Sequence, residues 1–290
     1  MALTTPKIFF ITGASSGFGQ AFATRFLQDG HTVVGTVRKP DDAAALEKPA
    51  EGTPGTAVAR LLDVTDDEAV FATVAEVEET VGPIDVVIAN AGYGHEGILE
   101  ESPMSELRRQ FDVNVYGAVA TLKAALPFMR ERRRGHLMGV TSMGGLMTIP
   151  GLAYYHGSKF ALEAILETLA KEVKAFGIAV TAIAPGSFRT DWAGRSMVRT
   201  ERSIEDYDEL MNPVRANRLA AHGNQLGDPT KAAEAVLSIA GRPDAPVHLV
   251  LGSDALRLVG TARKGVDEEI ERWAELSRTT DIPDGVQITS

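Results

Sequence analysis

The sequence predicts an α/β fold: a single doubly wound, Rossmann-like domain with a seven-stranded parallel sheet flanked by helices. Short apolar runs rich in β-branched residues alternate with helical segments of about 10 to 20 residues, which is the pattern of successive βαβ units. A glycine-rich stretch, Thr12–Gly19, follows the first apolar run, where such folds turn from strand to helix. A chain of 290 residues, 44% hydrophobic and 23% charged, has the size and composition of one large globular domain.

Seven apolar runs account for the predicted strands. Each run is short and is bounded by polar or glycine-containing segments, as expected for strands that helices cover on both faces. We therefore expect all seven to be buried. In chain order they are Lys7–Thr12, Thr32–Arg38, Ala57–Asp63, Ile84–Asn90, His136–Ser142, Ile178–Ala184 and Val247–Leu251.

Capping residues mark the ends of two helices. Phe18, Phe22 and Phe26 recur at four-residue spacing, and Asp29–Gly30 ends that helix with a residue that tolerates left-handed backbone. Near the carboxyl end, Asp228–Pro229 combines an N-cap residue with proline at the first helical position, before an alanine-rich helix.

A third helix positions a polar side chain. Ser102–Pro103 predicts an N-cap followed by the first helical residue. Leu107, Phe111 and Asn114 share one face of this helix by their spacing. We therefore expect Asn114 to face inward.

Residues 187–227 are predicted to form a substrate lid. Segments of roughly 40 residues inside compact domains usually carry short helices or act as mobile covers. Trp192, Met197, Leu210 and Met211 on this cover suggest an apolar substrate. The alternative is a surface helical insertion without a catalytic role.

The chain is divided into a catalytic domain, 1–255, and a carboxyl-terminal helical extension, 256–290. Val266, Ile270 and Trp273 recur at helical spacing within the extension. We expect this segment to pack on the domain or on a partner rather than to carry chemistry.

Composition excludes several classes of function. A formal charge of -10, from 29 basic and 39 acidic residues, lacks the cationic surface that nucleic-acid binding needs. The absence of cysteine excludes disulfides, thiolate nucleophiles and Cys-ligated zinc, and no cluster has metal-ligand spacing, so we expect no metal. The apolar run Ile8–Ile11 is too short for a secretory leader, and we predict no membrane span. The expected location is the cytoplasm.

The glycines of Thr12–Gly19 predict a site for a pyrophosphate. They are spaced G-x-x-x-G-x-G between a strand and a helix, where backbone amides and the helix N-terminus attract phosphate. A plain tight turn is the alternative. The candidate cofactor contacts in this motif are Gly13, Ser15, Ser16, Gly17, Phe18 and Gly19.

The end of the second predicted strand indicates which dinucleotide binds. Val37 stands where many such folds have an acidic residue that binds the adenosine ribose 2′-hydroxyl. The guanidinium of Arg38 is suited to a 2′-phosphate instead, so we predict NADP(H) in preference to NAD. The alternative is that Arg38 and Lys39 only solvate a loop.

Ser142, Tyr155 and Lys159 are the candidate catalytic residues. Tyr155 and Lys159 are four residues apart on one helix, so the ammonium lies near the phenol and favours its ionised form. This predicts a lowered pKa for Tyr155 and a role in proton transfer. A lone Tyr-x-x-x-Lys pair occurs by chance in many helices.

From Lys7 to Leu251 the chain resembles the short-chain dehydrogenase/reductase family. Several motifs agree in order along the chain, which a chance match would not produce. They are Thr12–Gly19, Asp63–Val64, Asn90–Ala91–Gly92, Asn114, Ser142, Tyr155, Lys159, Pro185–Gly186 and Thr190.

The resemblance implies a sheet order of 3-2-1-4-5-6-7 and a nicotinamide cofactor across the carboxyl edge. It assigns Asp63 and Val64 to the adenine, Asn90 to the adenosine ribose side and Thr190 to the carboxamide, with Ala91, Gly92, Pro185 and Gly186 as further contacts. Tyr155 would give a proton to a carbonyl oxygen that Ser142 holds. Lys159 would bind the nicotinamide ribose, and Asn114 would help to hold a proton-relay water.

The predicted function is NADP(H)-dependent interconversion of a ketone or aldehyde and an alcohol. Two alternatives stay open: a catalytically silent NADP(H)-sensing protein of the same fold, and a sugar-nucleotide epimerase or dehydratase. The expected assembly is a homodimer or homotetramer, although the residues after Gly252 depart from the family pattern. Tyr93, His95, Tyr154 and His156 are expected to be pocket-wall or loop residues.

Overall fold

A seven-stranded parallel sheet organises the protein. The computed structural model describes residues 5–190, 192, 194, 196–221, 223–282 and 285–286. In this part of the chain the sheet order is β3-β2-β1-β4-β6-β7-β9, which confirms the predicted order. The strands are β1 (Ile8–Ile11), β2 (Thr32–Val37), β3 (Thr56–Leu61), β4 (Val86–Ala89), β5 (Gly94–Glu96), β6 (Gly135–Val140), β7 (Ile178–Pro185), β8 (Met197–Arg199) and β9 (His248–Leu251).

Helices cover both faces of the sheet, as in a doubly wound fold. The helices are α1 (Gly17–Gln28), α2 (Ala44–Glu47), α3 (Asp67–Thr80), α4 (Met104–Phe111), α5 (Ala118–Arg132), α6 (Ala153–Val173), α7 (Asp208–Ala221), α8 (Pro229–Ile239), α9 (Ser253–Arg272) and α10 (Ala274–Arg278). One core joins the sheet to α3, α5 and α6, and a second joins it to α1 and α8.

The two edge strands are less buried than predicted. The side chains of β3 are partly or fully exposed, and Leu61 at its end is 57% exposed. The strand β9 is also only partly buried. Both lie at the margins of the sheet, where a strand has a neighbour on one side only.

The predicted helix ends agree with the structure in two of three places. In α1, Phe22 stacks between Phe18 and Phe26, with ring centroids 5.7 Å and 6.1 Å away. The side chain of Asp228 accepts a hydrogen bond from the Thr230 amide and caps α8 as predicted. The prediction for Ser102 is wrong: α4 begins at Met104, and the Ser102 hydroxyl donates to the Ile98 carbonyl instead.

A π-helical turn, Asp112–Gly117, joins α4 directly to α5. Asn114 lies inside this turn and is 1% exposed, so it faces inward as predicted. Wide turns of this kind are rare within helices and often occur at functional sites.

The predicted lid contains β8 and α7. The sequence did not reveal that β8 pairs with β5 in a separate two-stranded parallel sheet, because each strand has three residues. Lid positions 191, 193, 195 and 222 lie outside the described residues. The lid's predicted mobility stays a prediction.

The predicted domain boundary after residue 255 falls inside α9, whose Ala255 and Val259 are buried. Further along, Val266, Ile270 and Trp273 are each more than half exposed, so the domain leaves most of their surface uncovered. Packing on a partner stays a prediction. Within the described residues, no helix combines the length and apolarity that crossing a bilayer requires.

Candidate active site

A cavity of about 1100 Å³ opens along the carboxyl edge of the sheet. Open α/β sheets bind their ligands at this edge. Of the predicted site residues, Gly19 and Asn114 are absent from the lining. Those that line it are Gly13, Ser15, Ser16, Gly17, Phe18, Arg38, Asp63, Val64, Asn90, Ala91, Gly92, Ser142, Tyr155, Lys159, Pro185, Gly186 and Thr190.

The glycine-rich loop takes a shape that side chains would block. Gly13 has a φ of +68°, in the left-handed region where glycine is favoured. A Cβ at Gly19 would lie 2.2 Å from the Gly13 carbonyl oxygen. Gly19 therefore lies behind the loop, where its lack of a side chain lets α1 pack directly against the loop backbone.

The amino terminus of α1 faces the cavity without a side-chain cap. Ser16 is the N-cap residue, but its side chain makes no capping hydrogen bond. Ser15, Ser16 and Gly17 line the cavity beside the first-turn amides. Free amides and the positive end of the helix dipole suit a phosphate group. The loop and helix therefore fit the pyrophosphate of a dinucleotide.

Asn90 stabilises the glycine-rich loop and also lines the cavity. Its side-chain amide donates to the carbonyl oxygens of Thr12 (2.9 Å) and Gly13 (3.0 Å). The Thr12 hydroxyl in turn accepts from the amides of Asn90 and Ala91, both at 3.0 Å. The side chain that the family resemblance assigned to the ribose thus holds two strand ends together.

Arg38 lies exposed at the end of β2, on the wall of the cavity. It makes no ion pair with a described residue. The pKa of Asp63 is lowered mainly by hydrogen bonds from Thr65 and to a smaller extent by the charge of Arg38. Lys39 and Asp42, which sequence reasoning did not assign to the site, line the same end.

Asn114 holds the backbone of Tyr93. Its Oδ1 accepts from the Tyr93 amide and its Nδ2 donates to the Tyr93 carbonyl, both at 3.0 Å. The Nδ2 also contacts the Ser158 hydroxyl at 3.2 Å. Asn114 therefore supports the cavity wall from behind, and its predicted role in holding a water stays a prediction.

Tyr155, Ser142 and Lys159 line the same cavity. The Ser142 hydroxyl, which acts to lower the pKa of the Tyr155 phenol, accepts a hydrogen bond from the Gly144 amide at 3.0 Å. The Lys159 ammonium lies 5.9 Å from the centroid of the Tyr155 ring and donates to the Val140 carbonyl at 2.8 Å. An ammonium has three N–H groups, so two remain for a ligand.

The acidity of Tyr155 differs from the prediction. Burial raises the pKa of Tyr155 to about 12, and the hydrogen bond with Ser142 only partly offsets that rise. Burial also lowers the pKa of Lys159 to about 8, which the Glu163 carboxylate opposes. The predicted lowering of the Tyr155 pKa is therefore wrong, because desolvation dominates over the attraction of a cation that points to Val140.

His156 is a wall residue, as expected. The Ile149 amide donates to its Nε2 at 3.0 Å, so Nδ1 carries the hydrogen that bonds the Gly144 carbonyl at 2.7 Å. Burial lowers the pKa of His156. It is thus held as a neutral ring that fixes the loop after β6. The same expectation is wrong for His95 and Tyr154, which lie on β5 and α6 outside the cavity lining and stack with ring centroids 5.1 Å apart.

The substrate end of the cavity has apolar walls. The Trp192 ring lies 5.1 Å from the Tyr155 ring, and Met147 and Leu152 are further wall residues. The other three apolar lid residues that suggested an apolar substrate do not line the cavity: Met197 and Met211 are buried and Leu210 is exposed.

Buried ion pairs attach the lid. Glu96 on β5 is 1% exposed and pairs with Arg215 of α7 at 2.8 Å and with Arg218 at closer range. Arg199 of β8 lies 3.7 Å away. Arg218 also lines the cavity. No sequence motif pointed to this cluster, because its members are far apart along the chain.

Known proteins resemble this chain over most of its length. Residues 7–200 match the family described as short chain dehydrogenase. A 3-ketodihydrosphingosine reductase of Bacteroides thetaiotaomicron is 33% identical over 93% of this chain and 96% of its own. A short-chain dehydrogenase structure from Streptomyces avermitilis has a TM-score of 0.87 and 37% identity, covering 96% of this chain and 100% of that one. An alcohol dehydrogenase from Thermococcus sibiricus, complexed with 5-hydroxy-NADP, has a TM-score of 0.70 and 27% identity, covering 85% of this chain and 96% of that one.

Proposed function

We propose a specific reaction for this chain, which belongs to the short-chain dehydrogenase/reductase family: NADPH-dependent reduction of an apolar ketone or aldehyde to the alcohol. Membership makes the protein an oxidoreductase that acts on CH–OH or C=O groups with a nicotinamide cofactor. The observation that carries the proposal is that Ser142, Tyr155 and Lys159 line one cavity together with the uncapped amino terminus of α1.

The preference for NADPH is supported by the charge at the end of β2. Val37 cannot accept a hydrogen bond from a ribose 2′-hydroxyl through its side chain, whereas the Arg38 guanidinium suits a 2′-phosphate. Arg38 lines the cavity and has no ion-pair partner among the described residues. The Thermococcus sibiricus neighbour, which binds an NADP analogue, also supports this choice.

Each catalytic residue has one task in the proposed reaction. Tyr155 donates its phenolic proton to the carbonyl oxygen, and the Ser142 hydroxyl holds that oxygen. Lys159 binds the nicotinamide ribose through the N–H groups that Val140 does not use. The dinucleotide, when bound, supplies the hydride.

The protonation state of Tyr155 is the one that the reduction step requires. A phenol with a pKa of about 12 is neutral at physiological pH and carries the proton that reduction consumes. Oxidation would start from the phenolate, which burial disfavours. The relative named as a 3-ketodihydrosphingosine reductase supports the same direction.

The walls around Tyr155 support an apolar substrate. Trp192, Met147 and Leu152 present apolar surface at the substrate end of the cavity. A cytoplasmic homodimer or homotetramer stays part of the proposal, and the exposed apolar side chains of α9 support self-association.

The test is consumption of NADPH by the purified protein with a panel of apolar ketones and aldehydes. We expect turnover of at least one ketone, faster with NADPH than with NADH. Tight NADPH binding without turnover of any carbonyl compound would identify a sensor instead. Conversion of a sugar nucleotide without net cofactor consumption would identify an epimerase or dehydratase.

A further inference from the structure

A buried carboxylate lies one helical turn beyond the catalytic lysine. Tyr155, Lys159 and Glu163 follow one another at four-residue spacing on α6 and so share one face. Lys159 and Glu163 are each only 5% exposed. A buried charge is unfavourable unless an opposite charge and hydrogen bonds compensate it.

The segment after β6 and the strand β9 hold the Glu163 side chain in place. Directly after β6, the Thr141 hydroxyl lies 2.5 Å from Oε1, and it also lies 2.9 Å from the Ile183 carbonyl oxygen. On β9, Nδ1 of His248 lies 2.9 Å from Oε2. In the turn after β6, a Cβ at Gly145 would lie 2.8 Å from Cγ of Glu163. The carboxylate therefore has a fixed position between the catalytic centre and the partly exposed ring of His248.

The remaining groups that face Lys159 carry no charge. Tyr155 is on the same helix, the Val140 carbonyl is on β6, and a Cβ on Gly92 would lie 3.6 Å from Nζ. Within the described chain, Glu163 is the one carboxylate whose charge acts on Lys159. Burial raises the pKa of Glu163, and Thr141, His248 and Lys159 oppose that rise. The two side chains are not in direct ion-pair contact, so Glu163 acts on the ammonium across the buried helix face that they share.

We propose that Glu163 is a positioning residue for the reaction: held by Thr141 and His248, its carboxylate keeps Lys159 charged for binding the nicotinamide ribose. This inference rests on the proposed function. It adds a member to the site that touches neither substrate nor cofactor and acts through Lys159.

The pH dependence of cofactor binding follows from this arrangement. Burial lowers the pKa of Lys159 to about 8, and Glu163 opposes that fall. Since the ammonium form binds the ribose, affinity for NADPH stays level at low pH and weakens as pH rises through about 8. Removal of the Glu163 charge lowers the pKa of Lys159 further, so the weakening begins at lower pH.

The test is the dissociation constant of NADPH for Glu163→Gln, measured by nicotinamide fluorescence from about pH 6 to about pH 10. We expect the alkaline loss of affinity to begin about one pH unit lower than in the wild type. Glu172→Gln is the matched control. It removes the same charge from an exposed position of the same helix, and we expect it to keep the wild-type profile.

A second variant covers the case in which Glu163→Gln does not fold. His248→Gln removes the imidazole beside Glu163, so the carboxylate takes up a proton more readily and the profile shifts in the same direction by a smaller amount. Thermal unfolding and an unchanged affinity at low pH confirm that each variant has an intact site.

The possible results of these experiments distinguish the role of Glu163 from the proposed function. A Glu163→Gln profile that coincides with the wild-type profile overturns the role of Glu163 and leaves the proposed function standing. If only His248→Gln folds, an unshifted profile for that variant overturns the role. A wild-type protein that binds no NADPH at any pH overturns the proposed function, and the role of Glu163 with it.

Discussion

The two ends of the cavity are built by different physical means. At the cofactor end, neutral hydrogen bonds join neighbouring strand ends, as where the Thr12 hydroxyl accepts from the amides of Asn90 and Ala91. At the substrate end, the lid helix α7 is attached through Arg215 and Arg218 to a single buried carboxylate.

Because of this difference, the two ends should respond differently to a single substitution. Many short hydrogen bonds between strand ends stabilise the cofactor end, so most single substitutions there should disturb only their immediate surroundings. The lid helix α7 depends on Glu96, whose loss leaves Arg215 and Arg218 without their shared carboxylate. A second buried carboxylate, Glu101, holds the preceding part of the lid through Arg202. Removing one partner of a buried ion pair is far more costly than losing an exposed pair. The lid should therefore be separable from the cofactor end by one substitution.

Glu96→Ala should produce the largest effect. We expect a loss of about 3 to 5 kcal/mol in the attachment of the lid, because Arg215 and Arg218 lose a buried partner. The KM of a ketone substrate should rise and proteolysis within 197–221 should accelerate, while the NADPH dissociation constant stays within about twofold. A parallel loss of NADPH affinity would break the distinction between the two ends.

The control for this prediction is Glu100→Ala. Glu100 accepts a hydrogen bond from the Tyr207 hydroxyl at 2.7 Å, but this lid contact is exposed. An exposed contact contributes little. Its loss should leave KM and the proteolysis rate close to their wild-type values.

The same contrast explains what the sequence could predict. The cofactor end consists of local motifs, such as Thr12–Gly19 and Tyr155 with Lys159, and the structure places these residues on the cavity or directly behind it. The attachment of the lid joins Glu96 to residues more than a hundred positions away, and no local pattern marks such a pair.

Burial accounts for the main chemical error of the sequence reasoning. The spacing of Tyr155 and Lys159 correctly predicted a shared helix face, but it contains no information about desolvation. In the folded chain desolvation raises the pKa of Tyr155. The same limit applies to Glu163, whose importance appears only when β6 and β9 bring Thr141 and His248 against it.

Arg38→Asp tests whether the cofactor end of the cavity binds a 2′-phosphate through Arg38. Loss of a charge-assisted contact of about 1.5 to 3 kcal/mol should reduce the preference for NADPH over NADH by roughly tenfold to a hundredfold. The measurement is the ratio of kcat/KM for the two cofactors. Lys48→Asp makes the same charge change outside the cavity lining and should keep the ratio. An unchanged ratio in Arg38→Asp would rule out the phosphate contact.

Gly19→Ala tests the close packing behind the glycine-rich loop. The added Cβ would lie 2.2 Å from the Gly13 carbonyl oxygen, so backbone must move. Strain of about 1 to 3 kcal/mol should weaken NADPH binding by about fivefold or more. Gly260→Ala on α9, where a Cβ has open space, is the matched control. NADPH affinity equal to the wild type in Gly19→Ala would show that the loop tolerates displacement.

The measurement that most directly tests the central claim, that Tyr155 is the proton donor, is the turnover of Tyr155→Phe with NADPH and a ketone. The substitution removes one hydroxyl and keeps the ring that packs against Trp192. We expect kcat to fall by roughly a hundredfold to ten-thousandfold while the NADPH dissociation constant hardly changes. Retention of more than about a tenth of wild-type turnover would contradict the account.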